Sequence, residues 1–406
     1  MKSVMDDEKV IIVSYACTPN ANSEHGLGWK WVEETAARKK VILITRPGRE
    51  GLAEACLTHN IELIEVPVPA LGRRLTQKLG DIGIWLRVYM WAPHVRSIVK
   101  SITDKQVIKY LHLVTFHSVW MPDVFANCDC TKVWGPVSGG EYVPREYLKW
   151  LGPEKMKERF RNTLNRLLDK SIAKKSASYD IILYGNSQTL ESIERKRNGV
   201  RRLVMPNVVR DEVKAYPAKQ WKEGDVFRMA FVGSCQGRRG LSMLFEALKN
   251  VKNLDWALDI AGTGQALDYW KTRVKDLGLD DRVTFHGWVG KDVVDKIYEN
   301  AHLFVFPTLR DGGGSGMLEA IERSVPVLAL DWGGPSDVIA DTGAGVLFAV
   351  DSPEKTTKAL VDWFESVGNR TFDYTELAQD VQGYDFTRFR WASKLELLQS
   401  ALDEVS

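Results

Sequence analysis

The stretch LFVFPTLRDGGGSGMLEA, Leu303–Ala320, contains three kinds of local sequence in succession. The apolar run Leu303–Phe306 predicts a buried strand, a glycine-rich loop follows it, and a helix is predicted from about Ser315. Strand, turn and helix in this order are typical of an α/β domain with a parallel sheet. Glycines let the backbone approach a ligand closely, and free N–H groups at a helix start suit a diphosphate or sugar hydroxyls. The alternative is a flexible loop with ordinary capping at Ser315.

Similar apolar runs alternate with amphipathic stretches on both sides of this segment. In the first half, the predicted strands are Val10–Tyr15, Val41–Thr45, Ile61–Val66, Val107–Val114, Lys132–Val137, Asp180–Tyr184 and Arg202–Met205. In the second half, they are Phe227–Gly233, Trp256–Ala261, Arg282–His286, Leu303–Phe306, Pro326–Leu330 and Val346–Phe348. The first helix is predicted over Gly28–Lys39. This alternation predicts two doubly wound, Rossmann-like α/β domains.

The chain has 406 residues, which is more than a single core supports. We expect one domain over 1–206, a second over 207–385 and a final segment over 386–406. The linker is predicted near Pro206–Glu223, which is polar and contains Pro217. Two such domains facing each other leave a cleft at the carboxyl ends of their strands, where ligands bind in this fold.

The composition excludes several classes of protein. A net charge of +2 argues against nucleic-acid binding by the whole protein. The five cysteines, Cys17, Cys56, Cys128, Cys130 and Cys235, form neither a disulfide framework nor a zinc motif, so free thiols are expected. The charged N-terminus lacks a secretion core, and no run of about 20 apolar residues occurs. These features predict a cytoplasmic protein or one on the inner face of a membrane.

The segment 71–100 interleaves basic residues such as Arg73 and Arg87 with apolar ones such as Trp85 and Trp91. A basic helix with aromatic side chains is typical of a membrane interface. The alternative is one or two ordinary surface helices. The stretch Glu154–Lys175 is also rich in Lys and Arg, and it adds weight to peripheral membrane contact.

Asp311 and Glu319 lie on either side of the glycine-rich turn, with seven residues between them. Carboxylates accept hydrogen bonds from hydroxyls, as ribose and hexose require. This spacing is similar to the acidic-x7-acidic motif of the retaining GT-B glycosyltransferases of family four, the glycosyl transferases group 1. Family members usually have Glu first, where this chain has Asp311. The resemblance implies that Asp311 contacts hydroxyls of a donor sugar and that Glu319 binds the nucleotide ribose.

Further stretches resemble the family in order and spacing. Phe231–Gly240 resembles its diphosphate-binding turn, with Ser234 where the family usually has Arg and Arg239 where it usually has Lys. Arg binds phosphate in bidentate fashion, and Arg238 adds a second cation. From the residues alone, the alternative is that Arg238 and Arg239 are ordinary solvated surface charges. The resemblance assigns donor binding to Gly233, Ser234, Arg238, Arg239, Gly262, Gly264, His286, Gly287, Gly312, Gly313, Gly314, Ser315, Gly316 and Glu319.

The resemblance implies that 1–206 is an acceptor-binding domain, that 207–385 is a donor-binding domain and that 386–406 is a helix crossing back to the first domain. The first domain resembles the family less closely. Gly26 and Gly28 follow the first strand, and their amides are expected to reach donor phosphates or the acceptor at a helix start, the alternative being a tight turn. Many family members have a His near the donor sugar. At the corresponding position this chain has the segment Trp134–Glu141, which contains no His. Glu141 is therefore a candidate acid or acceptor contact. His117 is the better histidine candidate and His112 the weaker one. The candidate catalytic residues are therefore Asp311, His117 and Glu141.

The resemblance implies transfer of a hexose-type sugar from a nucleotide-diphosphate sugar to an acceptor hydroxyl with retention of configuration. UDP is favoured over GDP, and a glycan or lipid-linked acceptor in polysaccharide or glycolipid assembly is expected. No Asp-x-Asp metal motif occurs in the right context, so no metal or cofactor is expected. The main alternative is a nucleotide-sugar epimerase of the same fold. Two further alternatives are a non-catalytic sugar-binding module and a nicotinamide oxidoreductase. The incomplete glycine fingerprint at Gly262 disfavours the oxidoreductase.

Overall fold

The computed structural model describes residues 6–21, 23–70, 72, 80–114, 118–194, 200–340 and 343–405. Within these ranges the strands form two fully parallel sheets, of seven and six strands. The first contains β1 (Asp6–Val13), β2 (Lys39–Thr45), β3 (Glu62–Glu65), β4 (Tyr110–Leu113), β5 (Thr131–Val137), β6 (Ile181–Tyr184) and β7 (Arg201–Val204), in the order β3-β2-β1-β4-β5-β6-β7. The second contains β8 (Phe227–Val232), β9 (Trp256–Ala261), β10 (Val283–Gly287), β11 (Leu303–Phe306), β12 (Val327–Leu330) and β13 (Gly345–Phe348), in the order β10-β9-β8-β11-β12-β13.

Helices connect the strands and cover both faces of each sheet. The first part of the chain contains α1 (Ser23–Ala36), α2 (Leu52–Thr58), α3 (Gly80–Thr103), α4 (Lys155–Ser176) and α5 (Ser187–Glu194), with a 3-10 segment at Arg145–Glu154. The second contains α6 (Leu241–Leu248), α7 (Leu267–Asp276), α8 (Lys291–Asn300), α9 (Ser315–Glu322), α10 (Gly334–Ile339), α11 (Pro353–Gly368) and α12 (Tyr374–Gln382). The last helix is α13 (Trp391–Val405). The expectation of two Rossmann-like domains is confirmed.

The strands formed where the apolar runs predict them, because parallel strands covered on both faces need apolar side chains at every position. In β1, Val10, Ile11, Ile12 and Val13 are all fully buried. Ile11 and Val13 join the core on one face, whereas Val10 and Ile12 join the core on the other. This is the alternation that the pleat of a strand imposes.

The strand order reverses once in each sheet, between β1 and β4 and between β8 and β11. At such a point the connections leave in opposite directions and open a crevice at the carboxyl ends of the strands. The glycine-rich loop after β11 therefore begins at the crevice of the second sheet.

Two segments join the halves of the chain. Val143, Tyr147 and Leu151 belong to the apolar core of the second sheet, and the Tyr147 hydroxyl lies 2.7 Å from Thr356 Oγ1. In the other direction, Trp391 and Leu398 of α13 pack in the core of the first sheet. The division at 206 and 385 stays a prediction.

The expected start of the first helix at Gly28 is wrong, since α1 begins at Ser23. Gly26 and Gly28 therefore lie inside its first two turns. Two glycines among the six residues Ser23–Gly28 favour a loop, because glycine is a weak helix former. In the described residues, no helix has the length and the apolar character that crossing a membrane requires.

Candidate active site

The segment 310–316, called the glycine loop below, connects β11 to α9. Gly314 adopts a left-handed conformation, with φ of 63°, and α9 begins at the next residue. The expected helix start near Ser315 is confirmed. Gly316 packs on β8, because a Cβ built there would lie 3.2 Å from the carbonyl oxygen of Val232. The helix start therefore lies directly over the crevice between β8 and β11.

Asp311 organises the glycine loop. Its Oδ1 accepts hydrogen bonds from the amides of Gly313 at 2.9 Å and Gly314 at 2.6 Å. Its Oδ2 accepts a hydrogen bond from Arg239, and Arg238 Nη1 lies 3.6 Å away. Burial opposes ionisation, but the two arginines and the two amides hold the pKa of Asp311 at about 2. Asp311 is therefore an anion at neutral pH.

A second carboxylate reaches the glycine loop from the first half of the chain. Glu158 of α4 is buried and binds Arg310 through two hydrogen bonds, of 3.0 Å and 2.7 Å. Arg238 donates to the carbonyl oxygen of Arg310 at 2.6 Å, and burial together with the charges of Arg239 and Arg310 lowers its pKa to about 9. Three guanidinium groups thus face two carboxylates, and one positive charge is left at the glycine loop.

The turns after β8 and β9 pack backbone to backbone beside the glycine loop. A Cβ on Gly262 would lie 1.8 Å from the carbonyl oxygen of Gly233, and one on Gly264 would lie 2.2 Å from that of Cys235. A Cβ on Gly240 would lie 1.9 Å from the carbonyl oxygen of Pro307. These positions admit no side chain, so the three turns form one continuous glycine-lined surface. Ser234, at the end of β8, is exposed on it.

His286 and Gly287 close the far side of this surface. His286 Nε2 lies 2.7 Å from Asp259 Oδ1, and the Gly287 carbonyl oxygen accepts a hydrogen bond from the Gly262 amide at 2.7 Å. The Gly287 backbone thus connects the end of β10 to the turn after β9. The space beside its Cα is open.

Glu319 lies on α9 and faces the linker between the two halves of the chain. Its Oε1 lies 3.2 Å from Arg210 Nη2, while Glu322 Oε2 lies 3.5 Å from Arg210 Nε. Arg210 also donates to the carbonyl oxygen of Ser315 at 3.1 Å. Asp311 and Glu319 therefore lie at the two ends of one loop–helix unit, and Arg210 restrains the second of them.

Glu141 meets the glycine loop from the first half of the chain. It is buried, and its two carboxylate oxygens accept from the Gly139 amide at 2.7 Å and from Asn186 Nδ2 at 2.5 Å. A Cβ on Gly312 would lie 2.9 Å from Ser138 Oγ and 3.4 Å from Glu141 Oε1. The loop after β5 and the glycine loop are thus in contact.

Sequence reasoning missed the residues that hold these loops together. Arg161 of α4 donates to the carbonyl oxygens of Glu141 at 2.6 Å and Gly139 at 2.8 Å, and Asn165 donates to Gly139 at 3.0 Å. Asn186 lies between Glu141 and the carbonyl oxygen of Gly312. The signal in the sequence was the helical spacing of Arg161 and Asn165 on α4. The many Lys and Arg residues of this helix are equally typical of a face in contact with solvent or a membrane.

The first half of the chain contains four further candidates. His117 lies outside the described residues. His112 is buried in β4 with Nε2 2.8 Å from the carbonyl oxygen of Gly135, and burial lowers its pKa to about 4, so it is a neutral core residue. Gly26 packs closely, because a Cβ there would lie 1.9 Å from the carbonyl oxygen of Ala21. Gly28 is buried in the second turn of α1, where helical hydrogen bonding uses the amides.

An open cavity of about 710 Å³ lies on the linker side of the interdomain contact, lined by residues that include Ser187, Asp337, Arg388 and Lys394. The glycine loop does not line this cavity. We assign the site by the convergence of charges, amides and glycines at the glycine loop, which contacts the first half of the chain. Among the described residues, no three His, Cys, Asp or Glu side chains converge as metal ligands. The arrangement suits a ligand that combines negative charge with hydroxyl groups.

Comparison with known families places this site in context. Residues 213–373 match the family described as glycosyl transferases group 1. An uncharacterized glycosyltransferase of Methanocaldococcus jannaschii is 26% identical over 174 residues, which are 42% of this chain and 43% of that protein. The chain thus matches less than half the length of this curated relative.

Solved structures resemble the whole chain. The lipopolysaccharide outer core galactosyltransferase WaaB, in its apo form, gives a TM-score of 0.64 at 14% identity and covers 98% of this chain and 99% of its own. The Anabaena protein HepE in complex with UDP and glucose gives 0.58 at 15% identity and covers 98% and 100%. At these identities the likeness concerns the fold, and the expected GT-B arrangement is confirmed.

Proposed function

Residues 213–373 belong to the glycosyl transferases group 1 family, and from this premise we propose that the chain transfers a hexose-type sugar from a nucleotide-diphosphate sugar to an acceptor hydroxyl with retention. The observation that carries the proposal is the glycine loop. Its anionic Asp311 is held by two loop amides and two arginines, and the loop opens directly into α9 with Glu319 one helical turn further on.

Each group at the glycine loop has a proposed task. The start of α9 and Arg239 bind the diphosphate, because a helix start and a guanidinium both favour negative charge. Asp311 accepts hydrogen bonds from the sugar and Glu319 from the ribose. The glycine turns at Gly233, Gly262 and Gly264 give the nucleotide room against the backbone, and the segment at His286 and Gly287 borders the base.

The chemistry follows from where charge develops. As the bond between sugar and diphosphate breaks, negative charge grows on the leaving oxygen, beside Arg239 and the amides at the start of α9. Groups already fixed in place stabilise that charge without reorganisation. In the present structure Arg239 is neutralised by Asp311. Donor binding therefore repartners Arg239 from the carboxylate to phosphate, which frees Asp311 for sugar hydroxyls.

Domain closure completes the site. The contact of Gly312 with Ser138 and Glu141 leaves no room for a donor sugar between them. The domains must therefore open to admit the donor and close again over it, which excludes water and limits hydrolysis. We assign to Glu141 the positioning of the loop after β5, because both of its carboxylate oxygens are already engaged.

The donor is best identified by a thermal-shift panel of UDP- and GDP-sugars, with and without EDTA. A ligand that binds the folded state raises the melting temperature. We propose a UDP-sugar, in line with the UDP and glucose in the HepE complex, and a shift that EDTA does not reduce. NMR of the product then gives the anomeric configuration, and inversion would contradict retention. A panel with no shift for any nucleotide sugar would contradict the function itself.

The same panel separates the transferase from the epimerase of the same fold. Without an acceptor, a transferase releases free sugar and nucleoside diphosphate slowly, whereas an epimerase returns a changed sugar. Appearance of an epimer would overturn the transferase proposal. Glu319 favours the transferase, because a ribose contact beside a glycine loop suits a donor whose diphosphate leaves.

For the acceptor we propose a glycan or lipid-linked molecule, with the protein in peripheral contact with an anionic membrane. On α3, the side chains of Ile82, Leu86 and Tyr89 form an exposed stripe. On α4, Met156, Phe160 and Leu167 form another, with 67%, 65% and 75% of their surface exposed.

Both helices contact Trp120. The Tyr89 hydroxyl donates to the Trp120 carbonyl oxygen at 2.9 Å, and the Trp120 indole donates to Asn165 of α4 at 2.8 Å. Helices α3 and α4 are therefore neighbours, and their two exposed stripes are together called the two-helix face. Its α4 side carries the exposed basic residues Lys155, Arg159, Arg166, Lys170 and Lys174. Apolar side chains rimmed by cations suit an anionic lipid surface. Of the segment 71–100, residues 71 and 73–79 lie outside the described ranges.

Flotation with vesicles of phosphatidylcholine containing 30% phosphatidylglycerol tests this contact, with pure phosphatidylcholine as the comparison. The double variant Phe160→Gln, Leu167→Gln should lose most of the binding. Leu57→Gln, at a position 83% exposed on α2, is the matched control and should bind as the wild type does. Equal flotation of all three proteins, or none at low salt, would contradict the contact.

A further inference from the structure

Arg46 and Arg87 lie near each other at the carboxyl edge of the first sheet, and Arg49 lies in the loop after β2. Arg46 follows the last residue of β2 and Arg49 lies three residues further on. Arg87 lies on α3, one turn before Trp91. The Arg46 guanidinium lies over the Tyr15 ring at 4.6 Å, and the same ring meets Trp91 edge-on at 5.1 Å. The ring of Tyr15 thus lies between β2 and α3.

The electrostatic environment of Arg46 confirms that the cluster is compact. Burial lowers the pKa of Arg46, Tyr15 opposes this shift, and the positive charge of Arg87 adds to it. His25 of α1 responds to the same charge, since burial and then Arg46 lower its pKa. The charges of Arg46, after β2, and Arg87, on α3, therefore face one region beside the β1–β4 reversal, where a doubly wound domain binds ligands, and His25 of α1 borders that region.

These arginines have hydrogen-bond donors that nothing in the described part of the chain satisfies. The Nε atoms of Arg46, Arg49 and Arg87, and also Nη2 of Arg49, are shielded from solvent and donate no hydrogen bond. No Asp or Glu oxygen among the described residues lies within 4 Å of any of the three guanidinium groups. A shielded donor without an acceptor is unfavourable, and it is more so when charged.

The arginines at the glycine loop and in the linker are treated differently. Arg239 and Arg210 also have an Nε without a partner, but their guanidinium groups pair with Asp311 and with Glu319 and Glu322. Arg310 pairs with Glu158 through two bonds. At the glycine loop the protein supplies its own counter-charges, whereas at Arg46, Arg49 and Arg87 it supplies none within the described ranges.

We propose that Arg46, Arg49 and Arg87 bind an anionic group, a phosphate or a carboxylate, carried by the acceptor. The inference rests on the proposed function, since it names the chemistry of the molecule that receives the sugar. Guanidinium groups converging from two elements offer the forked donors that bind such oxyanions in bidentate fashion. The donor's own diphosphate is assigned to Arg239 and α9, so the arginine cluster recognises a second negative charge.

Phosphate titrations test this proposal directly. Binding of inorganic phosphate is measured by calorimetry at constant ionic strength, with and without saturating UDP, on the wild type and on the double variant Arg46→Gln, Arg87→Gln. Arg228→Gln, an exposed arginine of the second domain, is the control for loss of charge. We expect phosphate to bind the UDP-loaded wild type and the control equally, and to bind the double variant at least tenfold more weakly. UDP affinity should agree within twofold across all three proteins.

The melting temperature separates recognition from structural support. Without phosphate, the double variant should melt no lower than the wild type, because it removes two mutually repelling charges that lack counter-ions. Equal phosphate binding by the double variant, loss of phosphate binding when UDP is added, or a melting temperature lowered by several degrees would each overturn the proposal. If no protein, wild type included, bound UDP, the proposed function would fail instead, and the titration without UDP would still test the anion site.

Discussion

Arg310 and Glu158 are joined by two hydrogen bonds, Nε to Oε2 at 3.0 Å and Nη2 to Oε1 at 2.7 Å, although 151 residues separate them in the chain. Arg310 begins the glycine loop, and Glu158 lies in the first turn of α4. The same helix carries Phe160 and Leu167 outward on the two-helix face and Arg161 inward on the loop after β5. Helix α4 therefore connects a surface proposed to contact lipid with the loop proposed to hold the donor.

Breaking this ion pair should destabilise the protein and impair the glycine loop. Burial opposes ionisation of Glu158, but the charge of Arg310 lowers its pKa, so the pair is ionic. Glu158→Gln leaves Arg310 without its counter-charge, and we expect the apparent free energy of unfolding to fall by about 3 kcal/mol. A double-mutant cycle with Arg310→Gln should give a coupling of about 1–3 kcal/mol in urea unfolding.

Lys149 and Glu354 provide the control for this cycle. They also join the first half of the chain to α11, at 2.8 Å, but both side chains are largely exposed. Solvent screens such pairs, so Lys149→Gln and Glu354→Gln should show no measurable coupling. Equal coupling in the two cycles would mean that the burial of Glu158 has no energetic role.

Substitutions of the two acids, Asp311 and Glu319, should change different kinetic parameters. Asp311→Asn weakens the hold on Arg239 and the loop amides, so kcat/KM should fall by about 10²-fold or more. Glu319→Gln should chiefly raise KM for the donor, since a ribose contact is made equally in ground and transition states. Glu322→Gln is the matched control, because Glu322 lies on the same helix and also pairs with Arg210. Steady-state kinetics that gave the three variants the same profile would contradict these roles.

The close approach of Gly262 to Gly233 predicts a severe effect of one methyl group. Gly262→Ala places a Cβ 1.8 Å from a carbonyl oxygen, and this atom belongs to backbone that cannot move aside alone. Gly278→Ala tests a positive φ without a clash, because Gly278 has φ of 67°, compared with 142° at Gly262, and open space around its Cα. It should destabilise by about 1–2 kcal/mol. Gly262→Ala should destabilise clearly more in urea unfolding and abolish nucleotide binding, and similar losses in both would disprove the steric account.

Lys394 of α13 should make stability depend on pH. Burial lowers its pKa from 10.5 to about 7, against the opposing charge of Asp211, and its ammonium nitrogen donates to the Pro206 carbonyl oxygen. Between pH 7 and 10.5 the unfolded chain keeps this proton and the folded chain does not, so this contribution rises with pH. Relative to Lys394→Met, the wild type should gain up to ~1.4 kcal/mol per pH unit across that window.

The control for the pH series is Lys358→Met, at an exposed position of α11. Its unfolding free energy should follow that of the wild type with a constant offset from pH 7 to 10. If the curve for Lys394→Met also ran parallel to the wild type, the buried lysine would not be titrating in this range.

The fold was predictable because its signal is local. Runs such as Val10–Val13 and Leu303–Phe306 are apolar at every position, and each became a strand buried on both faces. The start of α1 was not predictable, because Gly26 and Gly28 favour a loop by intrinsic propensity and tertiary packing overrides that preference. Gly26 is needed where the helix passes the Ala21 carbonyl oxygen, a contact that the sequence does not reveal.

At the candidate site, the sequence predicted residues of the second domain but not most of their partners. The glycine loop is one contiguous motif, so the positions of Asp311 on a loop and Glu319 on a helix were predictable from local sequence, whereas their roles rest on the family resemblance. Glu158, Arg161 and Asn186 reach this region only through the docking of one domain on the other. Contacts between residues so far apart in the chain leave no periodic pattern in the sequence. The unsatisfied donors of Arg49 can be identified only when the burial of its side chain is known.

A crystal structure of the protein soaked with UDP would locate the donor site. We expect density for the diphosphate at the start of α9 beside Arg239, with the ribose hydroxyls within hydrogen-bonding distance of Glu319 and the ion pair between Arg239 and Asp311 broken. A diphosphate bound elsewhere, at the linker cavity or at Arg46 and Arg87, with that ion pair intact, would contradict this expectation.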